Sequence, residues 1–100
     1  MSKTEFIDRV TQIIKERKKA DPSESYTASL YKDGLNKIAQ KVGEEATETV
    51  VAALGETNER LVSESADLIF HLMILLDAKG LSMDDVMDEL NRRNNTENCS

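Results

Sequence analysis

The sequence predicts an all-α fold: a helical hairpin of two long helices with shorter helices flanking it, completed into a four-helix-type bundle by homodimerisation. Three observations predict it. Apolar residues recur at spacings of three and four through several stretches, the period of a helix with one buried face. No stretch alternates with the period of two that a strand requires. The second long helix is apolar on most sides between Leu68 and Leu76, so something must cover it all round. In a chain of 100 residues a second subunit is the natural cover.

The elements run in order along the chain. Ser2-Lys3-Thr4-Glu5 has the form of a capping box. Phe6, Ile7, Val10, Ile13 and Ile14 then make an amphipathic helix. It ends in the basic run Lys15 to Lys19, where the helix dipole favours cations, and Asp21-Pro22 stops it. Ser23 to Thr27 reads as a loop or a helix start, and Ala28 to Lys32 as a turn or two of helix broken at Asp33-Gly34. A long helix runs from Leu35 to Leu54, with Leu35, Ile38, Ala39, Val42, Ala46, Val50 and Ala53 as its apolar stripe and Gly55 as its C-cap. Thr57 or Asn58 caps the next helix, which reaches Lys79 and stops at Gly80. Ser82-Met83-Asp84-Asp85 opens a last helix with a hydroxyl cap and acids in its first turn. One domain therefore spans residues 1–93, and residues 94–100 form a polar, disordered tail.

Composition narrows the function. Asp and Glu number 19 against 13 Lys and Arg, a formal net charge of −6. Without a basic stripe, nucleic acid is not an expected partner. The longest apolar run, Ile69 to Leu76, is interrupted by His71 and is too short to cross a membrane. The single Cys99 allows no internal disulfide, and no signal peptide opens the chain. A cytoplasmic location fits these features.

The candidate chemistry lies in two carboxylate pairs. Glu45 and Glu48 share one face of the first long helix, and Glu64 and Asp67 share one face of the second. At about 100° per residue, Glu45 falls about 20° from Ile38 and Glu48 about 60° further round. Both pairs border the apolar stripes, where carboxylates need a partner. A short connection makes the helices antiparallel neighbours, so four carboxylates can converge on a hard cation such as Mg²⁺. Each pair alone reads first as a solvated acidic face, and it is the position beside the apolar stripes that favours a metal. Glu44, on the helix flank, is a general base, an outer acceptor or a surface residue. Lys37 and Lys41 can meet substrate phosphates, or Lys41 can simply pair with Glu45 one turn on. His71, one turn after Asp67, reads first as a satisfied core histidine and second as support for that carboxylate.

Glu44-Glu45-x-x-Glu48 followed by Glu64-x-x-Asp67 resembles the signature of the all-α nucleoside triphosphate pyrophosphohydrolase superfamily, the MazG-like proteins. Ala20-Asp21-Pro22, Ser25-Tyr26-Thr27, Lys41-Val42-Gly43-Glu44-Glu45 and Ala66-Asp67-Leu68 narrow the resemblance to the phosphoribosyl-ATP pyrophosphohydrolases of histidine biosynthesis. It covers Phe6 to Arg93. The resemblance implies hydrolysis of phosphoribosyl-ATP to phosphoribosyl-AMP and pyrophosphate with Mg²⁺, in a homodimer. It implies Glu45, Glu48, Glu64 and Asp67 as metal ligands, Glu44, Glu45 and Glu48 as catalytic residues, and Lys37 and Lys41 as substrate contacts. Many relatives carry a fused cyclohydrolase domain, for which this chain has no room. The rival readings are a house-cleaning enzyme for free nucleoside triphosphates and a non-catalytic helical dimerisation module. A di-iron bundle would want a His where Asp67 stands.

Overall fold

The computed structural model describes residues 2–95, and among them it is all helical: α1 (Lys3–Arg17), α2 (Tyr26–Asp33), α3 (Leu35–Gly55), α4 (Asn58–Ala78) and α5 (Met83–Asn95). Local chemistry accounts for the boundaries. The Ser2 hydroxyl accepts from the Glu5 amide at 3.1 Å and starts α1. Ser25 does the same for Ala28 at 3.2 Å, so α2 begins at Tyr26, ahead of the expected Ala28. Gly34, at φ 101°, makes the sharp break before α3, a conformation that costs other residues more than glycine. Gly55 is the last helical residue of α3, not its cap; Glu56 takes that place. Of the two candidates before α4, Thr57 is the cap, accepting from the Arg60 amide at 3.2 Å. Before α5 the bond runs backward: the Asp85 carboxylate accepts the Ser82 amide at 2.9 Å. That helix continues to Asn95, two residues beyond its expected end. Residues 96–100, with Cys99 and most of the expected tail, lie outside the described residues.

Glu56 and Thr57 alone connect α3 to α4, which fold back on each other as the hairpin. Ile38 near the start of α3 meets Met73 and Ile74 near the end of α4 in one core, with Ile14 from α1 and Leu30 from α2. Ile7, Val10, Tyr31, Phe70, Leu75, Ala78 and Met83 pack around it. The stripe expected on α3 is only partly covered within one chain: Ile38 is buried, but Leu35, Ala39, Val50 and Ala53 are exposed, and so are Val51 and Leu54 beside it. Val62 and Ile69 on α4 are exposed too. The physical reason is that α3 packs chiefly against α2 and α4, which leaves part of its circumference open.

A charged pin locks the flanking helices to the hairpin. Asp77 near the end of α4 accepts from Lys15 at 2.8 Å, Lys18 at 2.9 Å and the Tyr31 hydroxyl at 2.5 Å. Lys18 also lies over the Tyr31 ring, 5.4 Å from its centre. Burial alone would push the Asp77 carboxyl up; the bonds from Lys15, Tyr31 and Lys18 outweigh it and bring it down to about 2.

Candidate active site

The hairpin brings together three of the four expected carboxylates. Ligand oxygens of Glu45, Glu48 and Glu64 all lie within 4.8 Å of one another. Glu45 and Glu64 are buried, at 7% and 4% exposure, and Glu48 stands at the exposed mouth. Asp67, one turn along α4 from Glu64, is exposed and lies outside this group.

Three carboxylates this close repel one another unless a cation or a proton intervenes. One oxygen each of Glu45 and Glu64 is buried without a hydrogen-bond partner among the described residues. Leaving such oxygens dry and unpaired is costly. The Glu64 carboxyl is held above its ordinary value, first by the approach of Glu48, then by burial, against the pull of Arg60. The crowding thus favours a cation at the cluster. The donor set is all oxygen, which suits a hard divalent cation.

Cations flank the cluster. Lys41 lies 3.3 Å from Glu44 and 3.6 Å from Glu45. Burial pulls its ammonium down, but the bond to Glu44 and the neighbouring Tyr26, Glu44 and Glu45 hold it above its ordinary value. Glu44 is not one of the group: it accepts from Gln40 at 2.7 Å and from Lys41. Those two bonds, Gln40 first, hold its carboxyl below the ordinary range. Lys37 is exposed, close enough for its charge to reach Glu44.

His71 does not reach the Asp67 carboxylate. Its Nδ1 bonds the Asp67 backbone carbonyl at 2.7 Å and its Nε2 meets the Tyr26 hydroxyl at 2.7 Å. A carbonyl can only accept, so Nδ1 carries a proton, and in the neutral ring Nε2 accepts from Tyr26. The bond ties the start of α2 to α4 beside the carboxylates. Burial first, then the charges of Glu45, Asp67 and Glu44, opposed by Lys41, raises the Tyr26 hydroxyl above its ordinary value. Tyr26 therefore belongs to the rim of the site, and so does Arg60, whose guanidinium lies 2.5 Å from Glu64. Neither stands out in the sequence as a site residue. The signal for Arg60 is its place one turn before Glu64; for Tyr26 it is only the Ser-Tyr-Thr word. Two apolar hollows lie elsewhere, one beside Phe6 and Ile7 on α1 and one between Leu76 and the Val86–Leu90 face of α5; neither touches the carboxylates.

Fold and site together define an all-α hairpin protein with an oxygen-rich cluster, suited to a cation, between its long helices. The chain belongs to the phosphoribosyl-ATP pyrophosphohydrolase family, whose model matches residues 7–94. A phosphoribosyl-ATP pyrophosphatase of Erythrobacter litoralis is 56% identical over 87 residues, which is 87% of this chain and 84% of the relative. One from Metallosphaera sedula is 53% identical over 90 residues, 90% of this chain and 97% of the relative. The histidine biosynthesis bifunctional protein HisIE of Vibrio cholerae is 51% identical over 88 residues, 88% of this chain but 42% of that longer protein.

Proposed function

We propose that this protein hydrolyses phosphoribosyl-ATP to phosphoribosyl-AMP and pyrophosphate, a step of histidine biosynthesis, with Mg²⁺ held by Glu45, Glu48, Glu64 and Asp67. The two buried, unpaired oxygens of Glu45 and Glu64 are the observation that carries the metal; the similarity to pyrophosphatases over most of the chain supports the substrate. Bound Mg²⁺ would neutralise phosphate charge and make a coordinated water more acidic.

The chain's own residues do the rest. Glu45 and Glu64, fixed by burial, set the depth of the site. Glu48, at the mouth, can touch the cation and take a proton from water. Asp67, one turn further along α4 and outside that cluster, would be the remaining ligand. Lys41 and Lys37, one turn apart on α3, line the approach for the phosphate chain. Glu44 keeps Lys41 aimed and is itself too committed to Gln40 and Lys41 to serve as the base. The open apolar strip of Leu35, Val50, Val51, Leu54, Val62 and Ile69 is the surface on which a second copy docks, giving a homodimer. No helix among the described residues is long and apolar enough to cross a membrane, and the cytoplasm is the compartment this reading expects.

A substrate panel tests the proposal. Phosphoribosyl-ATP should turn over at least tenfold more efficiently than any free nucleoside triphosphate, about 1.4 kcal/mol in the transition state. Faster turnover of free triphosphates would favour a house-cleaning enzyme. No turnover of either, with Mg²⁺ present, would leave a helical dimerisation module.

A further inference from the structure

Arg60 has no part in the function just proposed, and its position is chemically unusual. It stands in the first turn of α4, the positive end of the helix dipole, where a cation is disfavoured. Its side chain is 57% exposed, yet the guanidinium is held at both ends. Nε donates to Glu56 at 3.2 Å and Nη2 to the buried Glu64 at 2.5 Å.

Lys41 has the matching place on α3. Each cation precedes a buried carboxylate by four residues on its own helix, Lys41 before Glu45 and Arg60 before Glu64. Each of those carboxylates has one oxygen facing its cation and keeps the other buried and unpartnered. The two cations bracket the cluster from opposite helices. A pair with one solvent-exposed partner is weak and exchanges readily. A divalent cation at the cluster would draw on the Glu64 charge and repel the guanidinium. Arg60 would still have its Glu56 tether, and its planar fork of N–H groups suits a phosphate.

We propose that Arg60 is a placeholder cation: it neutralises Glu64 while the cluster holds no metal, then cedes that carboxylate to Mg²⁺ and turns outward on Glu56 to bind the substrate's phosphate chain. This rests on the proposed metal site and adds to it a phosphate-binding residue that competes with the metal before substrate arrives.

The competition makes two opposite effects in one variant. In Arg60→Gln, Mg²⁺ titrated calorimetrically without substrate should bind about fivefold tighter, the worth of a weak ion pair. In the same variant the KM for phosphoribosyl-ATP should rise about tenfold, the loss of one charged hydrogen bond, with kcat changing less. Arg60→Lys keeps the charge and should restore Mg²⁺ affinity to within about twofold of the unaltered protein, recovering only part of the KM. A purely structural arginine would weaken Mg²⁺ binding or leave it unchanged on removal, and either result overturns the proposal. So does an unchanged KM. If the unaltered protein binds no Mg²⁺, the metal reading itself falls; if it binds and Arg60→Gln binds no tighter, only the role of Arg60 falls.

Discussion

At the scale of single residues, the structure places charges in two contrasting ways. Asp77 is half-buried and fully satisfied by Lys15, Lys18 and Tyr31, whereas Glu45 and Glu64 are buried and half satisfied. The first arrangement stabilises the fold; the second leaves one oxygen of each glutamate without a partner among the described residues. Asp77 gives an acid-stability prediction. Its carboxyl moves from 3.8 to about 2 on folding. A lowered carboxylate contributes stability above its unfolded value and loses it as pH falls through the folded value. That contribution, on the order of 2 kcal/mol, should be complete above about pH 4 and vanish towards pH 2. Asp77→Asn should be less stable than the unaltered protein at pH 7, and urea melts should show the difference shrinking as pH falls towards 2. A gap that stays constant would contradict this role for Asp77. The carboxylate pairs are visible in the sequence, because a spacing of three puts side chains on one helix face. Spacing cannot distinguish a bare oxygen from a bonded one. The Asp77 pin joins residues 62 and 59 positions apart, so no local pattern announces it. His71 is the satisfied core histidine that the sequence favours, though its Tyr26 partner is out of reach of periodicity.

At the scale of elements, caps decide where each helix begins, and at α2 the cap also reaches the site. Because Ser25 caps Ala28, the helix takes in Tyr26 and sets its hydroxyl on His71. Reading Ala28 as the start misses this: Ser23 to Thr27 is largely polar, and a cap is distinguished from a loop serine only by the bond it makes. Ser25→Ala should cost about 1 kcal/mol, a fall in Tm of about 4–8 °C for a domain of this size, with Mg²⁺ affinity nearly unaffected. No fall in Tm would mean that the cap adds nothing. The long hairpin is legible throughout, since α3 and α4 each run 21 residues with clear periodicity and a short connection. The error at Gly55 is one residue, within the fraying expected of a helix end.

At the scale of the whole molecule, one chain leaves its hairpin partly uncovered. Leu54 is 84% exposed and Val62 69%, and Val50, Val51 and Ile69 extend the strip. Single apolar residues are ordinary on a surface, but several exposed along the two helices of one hairpin make a candidate docking face. The apolar girth of α4 signals the need for a cover in the sequence; that α3 carries the larger share of the exposed face emerges only from the packing. Val50→Asp should convert a dimer to a monomer in light scattering at micromolar concentration, while an unaltered protein that is already monomeric would remove the docking role of this strip. The central claim concerns the cluster inside the hairpin, and pyrophosphate release from phosphoribosyl-ATP tests it most directly, measured with Mg²⁺ and again after chelation. A metal-dependent cluster predicts release with Mg²⁺, its loss on chelation and its return when Mg²⁺ is restored; equal release in the chelated protein would contradict it.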